Sequence, residues 1–230
     1  MANRMLLMLP LALVGCATAE YALGQPADIS HLIYVNGCLP DGCQMYPGDD
    51  DARASKSSIV SRPTILRPFS LGEDRWNQLV DCVTRMYSVF DVQVTTEDPG
   101  DEPHFALIVG GDPRDLGLSA YAGGAAPVVC PTTVRDNGVA FVFSAANPDA
   151  DHLCWAAAQE LGHVFGLDHE IDPADPMSWI GPAADKQLGF DDRDAACGEY
   201  EPRDCSCNGA TQNSRRLLTQ VLGAQELVFR

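Results

Sequence analysis

The string from Gln159 to His169, QELGHVFGLDH, dictates a helix, the way that helix ends, and where the chain returns afterwards. Positions 159 and 163 are i and i+4 on a helix, so their side chains lie one above the other on one face and can converge on a single ion. Glu160 sits beside them, offset around the helix, where its carboxylate reaches a water held on that ion rather than the ion itself. Gly166 lets the chain leave through a left-handed conformation, and the turn brings His169 back toward the same point. Two ligands on a helix, a third after a glycine turn and a base between them make a catalytic metal site with a position left open for water. Taken singly, these residues have plainer uses: a Gln-Glu pair is ordinarily a solvated helix face, and histidines near a helix end often cap or pack.

The string resembles the metzincin metalloprotease signature H-E-x-x-H-x-x-G-x-x-H, with Gln159 in place of the first His and every other fixed position matched. A second landmark agrees. Metzincins carry a methionine turn beneath the zinc, and DPMSW puts Met177 eight residues after His169, a distance most similar to the matrixin branch. The resemblance implies an α+β fold: a twisted mixed β-sheet with an active-site helix, the methionine turn and a small, mostly irregular or helical C-terminal subdomain. It also implies one catalytic Zn²⁺ on Gln159, His163 and His169, Glu160 as general base in hydrolysis of a peptide or protein substrate, and structural roles for Gly166 and Met177. Trp179 stands where astacin-like relatives place a tyrosine, and it has no oxygen to offer a metal or an oxyanion.

Gln159 is the departure. Its amide oxygen reaches about as far as an imidazole nitrogen, but a neutral carbonyl is the poorer donor to a borderline-soft ion, so reduced zinc affinity is expected. Retention of Glu160 favours an exported zinc endopeptidase; Gln159 favours the alternative, a weak or inactive pseudoprotease whose scaffold binds a peptide or protein partner. No other histidine replaces the missing one by spacing. His152 lies about 10 Å along the same helix, too far to share the ion. His104 and His31 fall on or near strands and remain minor candidates.

Residues 1–19 read as an export signal: Arg4, an apolar run from Met5 to Val14 interrupted by Pro10, then small residues. Two processing routes compete. Leu13 to Cys16 (LVGC) resembles a lipobox, which would attach a lipid to Cys16 as the sole membrane anchor of a cell-envelope lipoprotein. Ala17-Thr18-Ala19 would instead allow ordinary cleavage and a secreted or periplasmic product. Setting Cys16 aside leaves eight of the nine cysteines, an even number suited to disulfides outside the cytosol. Cys38 and Cys43 can close a small loop, and Cys205 and Cys207 are too close to pair with each other. A structural zinc among Cys197, Cys205 and Cys207 lacks the paired spacing such sites show.

With 15 basic against 32 acidic residues, the net charge of −17 disfavours nucleic acid and anionic membrane surfaces as partners. Neither Asp49–Asp51 nor Asp191-Asp192 has the spacing of a calcium loop. A monomer is expected. The pattern predicts a strand at 31–35, loop over 37–63, a helix over 72–90 and strands at 91–96, 104–111 and 138–144. Residues 118–129 read as an irregular edge strand to which a substrate backbone can pair. The motif helix should start at Asn147-Pro148-Asp149, with Asn147 as capping residue, a proline in the first turn and an acid near the positive end, and a last helix should lie near 213–224. These elements form a metallopeptidase-like domain over 20–207 and a C-terminal tail over 208–230.

Overall fold

The computed structural model describes residues 29–147, 149–180, 189–207 and 209–225. The signal segment with Cys16, Pro148, and the stretch 181–188 that follows the methionine turn lie outside them.

Two uninterrupted apolar runs organise the chain. Phe105–Val109 and Val139–Val142 are buried at every position, as expected of strands covered on both faces. They sit in the middle of a five-stranded sheet. Numbered along the chain, the strands are β1 (Leu32–Asn36), β2 (Cys43–Pro47), β3 (Lys56–Ser57), β4 (Thr64–Leu66), β5 (Gln93–Thr95), β6 (Phe105–Val109), β7 (Gly124–Ala125), β8 (Val139–Val142), β9 (Ala195–Ala196) and β10 (Thr211–Gln212). The large sheet runs β5-β1-β6-β8-β7, all parallel except β7, which closes the edge antiparallel to β8. The fold is α+β, with three helices among the described residues: α1 (Glu73–Tyr87), α2 (Ala150–Val164) and α3 (Ser214–Leu222).

Strand alternation divides the core in two. Phe105, Leu107, Val109, Ala140 and Val142 face the helices and join Leu79, Val83, Met86, Leu153, Ala157 and Leu161. Ala106, Ile108, Val139 and Phe141 face the other way, onto Met45 and Leu66 of a small sheet ordered β3-β2-β4 and onto Val60 in the loop between β3 and β4. This small sheet occupies ground expected to be loop. Its strands hold two to five residues, and β2 fully buries only Met45, too little for a period-two pattern to stand out from a Gly-, Asp- and Pro-rich stretch. β5, β6, β8 and α1 lie within the stretches expected for them, with shorter bounds; β1 is shifted by one residue, the 118–129 edge strand contracts to β7, and the two-residue strands β9 and β10 lie where no strand is expected.

α2 is bound to its surroundings by chemistry as well as packing. Cys82–Cys154 links it to α1, and the Tyr87 hydroxyl donates to the Ala158 carbonyl at 3.0 Å. Its N-cap is Asp149, whose carboxylate accepts the His152 backbone N–H at 2.9 Å. Asn147, the expected cap, instead donates its amide to the carbonyls of Gly123 (2.7 Å) and Phe143 (3.0 Å). A cap stands two or three residues before the amide it satisfies, and for the His152 amide that residue is Asp149.

α3 contributes Leu218, Val221 and Leu222 to the helix-side core. The remaining disulfides are Cys38–Cys43, Cys130–Cys207 and Cys197–Cys205, so Cys205 and Cys207 do pair elsewhere. Among the described residues, no helix is long and apolar enough to cross a membrane.

Candidate metal centre and cleft

α2 stops where the string requires. Leu167 N–H bonds the Gly162 carbonyl at 2.9 Å and Gly166 N–H that of His163 at 3.0 Å, the paired closure that a left-handed residue allows. Gly166 has φ +98° and packs against Pro131; a Cβ there would meet Pro131 N at 2.7 Å. The turn delivers His169 to His163. Their Nε2 atoms lie 3.1 Å apart, with the rings nearly perpendicular at 79°.

The outer nitrogens decide what faces inward. His163 Nδ1 is 2.8 Å from the Leu167 carbonyl, and His169 Nδ1 is 3.1 Å from Glu199 Oε1. Both partners are acceptors only, so both Nδ1 atoms carry the proton. Glu199 is a carboxylate at neutral pH, because the Arg203 bond and then the His169 bond hold it down to about 2. Burial, reinforced by the neighbouring His169 ring, lowers His163 to about 4, so at neutral pH its Nε2 presents a bare lone pair to His169 Nε2. Two ring nitrogens in that relation call for a proton or a cation between them, the arrangement in which a carboxylate or carbonyl orients a metal-ligating imidazole.

Glu160 lies alongside, 7% exposed, and its carboxylate accepts no hydrogen bond among the described residues. Burial raises it to about 8. The edge strand passes directly over it: a Cβ on Gly124 would come within 2.4 Å of Glu160 Cγ, so this approach needs glycine. Met177 is fully buried beneath α2, and a Cβ on Gly162 would meet its sulfur at 2.5 Å. The methionine turn is closed by Met177 N–H to Asp175 Oδ1 (2.7 Å) and Ser178 N–H to the Asp175 carbonyl (3.1 Å).

Gln159 bridges the helix and that turn. Its amide N–H groups donate to the carbonyls of Ser178 (3.0 Å) and Pro176 (3.3 Å). With the nitrogen thus occupied, Oε1 is left without a hydrogen bond among the described residues. The atoms left open at the three motif positions are therefore two imidazole nitrogens, which face each other, and one amide oxygen. Among the described residues, no group of three or more His, Cys, Asp or Glu is placed to hold a metal ion; at the motif positions Gln159 leaves only two such side chains.

A cleft of about 340 Å³ opens here, between Gly123-Gly124 on one side and Pro176, Ser178 and Trp179 on the other, with Gln159 and Glu160 in its floor. The Ser178 hydroxyl is buried and lacks a hydrogen-bond partner among the described residues. The other histidines take no part in the pair. His152 is a first-turn residue held by Asp149 Oδ2 at 2.5 Å; buried His104 rests on the Glu102 carbonyl and the Tyr34 ring; His31 pairs with Asp91.

The sequence reading did not single out Glu199, Arg203 or Asp168. The Glu199/Arg203 spacing of four inside the Cys197–Cys205 loop was the available signal. No protein-family model matches the chain, and no curated protein is significantly similar to it.

Proposed function

We propose that this protein is an exported, zinc-dependent endopeptidase of metzincin-like, matrixin-like type. The observation that carries the reading is the pair of inward-facing Nε2 atoms of His163 and His169, 3.1 Å apart, beside a buried and unpartnered Glu160 on the same helix. His163 and His169 would hold the ion, with the amide oxygen of Gln159 as the third and weaker donor. Zn²⁺, when bound, supplies Lewis acidity that polarises a carbonyl and makes water a stronger acid.

The residues of this chain do the rest. Glu160 takes the proton of the attacking water and passes it to the leaving amine. Its burial keeps it protonated near neutrality, and a cation beside it favours the carboxylate that a base requires. An extended peptide would lie along the free side of β7, with Gly123 and Gly124 allowing its backbone close to Glu160. Four disulfides are compatible with an oxidising compartment outside the cytosol.

Reconstitution with zinc followed by metal analysis tests the reading. About one zinc per chain is expected, with Glu160→Ala removing proteolysis of unfolded protein substrates while sparing the metal. Absence of zinc after reconstitution would sink the proposal. One observation favours a second reading, a scaffold that binds a peptide without cleaving it: Gln159 already has a structural occupation, donating to the methionine turn. Gln159→His separates the two. Tighter zinc with stronger proteolysis supports the enzyme, and tighter zinc with no cleavage supports the binding scaffold.

A further inference from the structure

We infer that Glu199 is a positioning residue of this metal centre, a carboxylate that fixes the His169 ring with Nε2 turned toward His163 and strengthens that imidazole as a donor. The inference rests on the metal reading above and adds to it a residue outside the motif.

The two histidines are supported unequally. His163 leans on a neutral carbonyl, that of Leu167, whereas His169 leans on a charged carboxylate at 3.1 Å. A carboxylate behind an imidazole makes the opposite nitrogen the better ligand, and the better-supported histidine is the one presented on a loop. Glu199 is itself gripped. Arg203 Nη2 donates to its Oε1 at 2.8 Å and Arg203 Nε reaches Oε2 at 3.4 Å, while the same guanidinium makes a two-pronged pair with Asp168 at 2.7 and 2.8 Å. Asp168 in turn accepts the backbone N–H of His169 at 2.7 Å.

The loop carrying Glu199 is closed by Cys197–Cys205 and tied to the histidine's own backbone, Gly198 N–H donating to the His169 carbonyl at 3.0 Å. On another side, the Trp179 ring meets the His169 ring at 5.0 Å and 70°, which limits rotation of the imidazole. Backbone, carboxylate and indole therefore define one orientation of His169. A site with a weak donor at position 159 depends more heavily on the strength of those remaining, and Glu199 supplies that strength to His169.

The test is zinc affinity of the disulfide-intact chain, measured by competition with a chromophoric chelator. Glu199→Gln, which keeps the shape and removes the charge, should weaken zinc about 10- to 100-fold, and Glu199→Leu at least as much. Glu201→Gln removes the same charge two residues away and should change affinity by less than about twofold, since an exposed charge is screened. Nitrogen-15 NMR of the metal-free chain should find His169 protonated on Nδ1 in the parent and shifted toward the Nε2–H form in Glu199→Leu. Parent-like affinity in both Glu199 variants would overturn the role of Glu199 alone. No zinc binding by the parent overturns the metal centre and this inference with it. Glu199→Gln carries the decision if Glu199→Leu does not fold.

Discussion

The two halves of the site are held in place by different forces. Gln159, Glu160 and His163 ride on α2, whose inner face is fixed by Leu153, Ala157 and Leu161 in the apolar core and by the link to α1. His169 belongs to a loop whose neighbours are Asp168, Glu199, Arg203 and Ser206, held by ion pairs, hydrogen bonds and two disulfides. Apolar burial has no preferred chemistry and is indifferent to acid or reductant. A charged loop is directional and can aim an imidazole, but its order depends on protonation and oxidation. The protein thus sets a stable helix and an aimed imidazole side by side.

Breaking the core should cost the most. Phe165 is fully buried where α2 ends and stacks edge-on against Phe105 and Tyr87, so Phe165→Ala should lower stability by about 3–5 kcal/mol in denaturant unfolding. A loss under about 1 kcal/mol would show that the helix half is not anchored by this packing. The loop half comes next. Replacing Cys197 and Cys205 together by Ser should cost about 2–3 kcal/mol, and zinc affinity should fall with it. Phe165→Ala at a temperature where the chain stays folded should leave zinc affinity nearer the parent's.

Acid should separate the halves without mutation. Burial alone would raise Asp168, but its bonds from Arg203, from Ser206 and from the His169 backbone outweigh that and hold it well below the ordinary carboxylate range. A carboxyl depressed in the folded state contributes stability above its unfolded value of about 3.9 and loses it as pH falls through the folded value. The melting-temperature gap between the parent and Asp168→Asn should be widest at neutral pH and shrink progressively as pH falls below about 4. A gap of the same size at pH 7 and pH 2 would mean the loop is not held by this charge. The smallest effect belongs to His152→Ala. Asp149 caps α2 through the backbone N–H at 152, which alanine keeps, so stability should change by less than about 0.5 kcal/mol and zinc affinity not at all.

The same division explains what the sequence reveals. α2 and the Gly166 exit follow from spacing within a score of residues, because helix periodicity and a glycine turn are local properties, whereas the place of Met177 is implied only by the resemblance. β6 and β8 announce themselves as apolar runs. The small β3-β2-β4 sheet does not, since strands with one buried side chain leave no pattern. Asn147 and Asp149 compete for one cap, and only tertiary structure shows that the Gly123 carbonyl claims Asn147. Glu199 reaches His169, and Arg203 reaches Asp168, from 30 or more positions downstream. Nothing local marks them beyond a charge pair between two cysteines.

Gln159 has a mechanical meaning apart from any ion. The floor of the cleft is immobilised through Cys82–Cys154, whereas the wall formed by the methionine turn is suspended from that floor in part by two hydrogen bonds, from the Gln159 amide to Pro176 and Ser178. The residue is a strut across the gap. A histidine installed there would improve the donor and remove the strut, leaving the wall freer to move. On the proposed zinc reading, the position with the weakest donor is also the one that holds the width of the cleft.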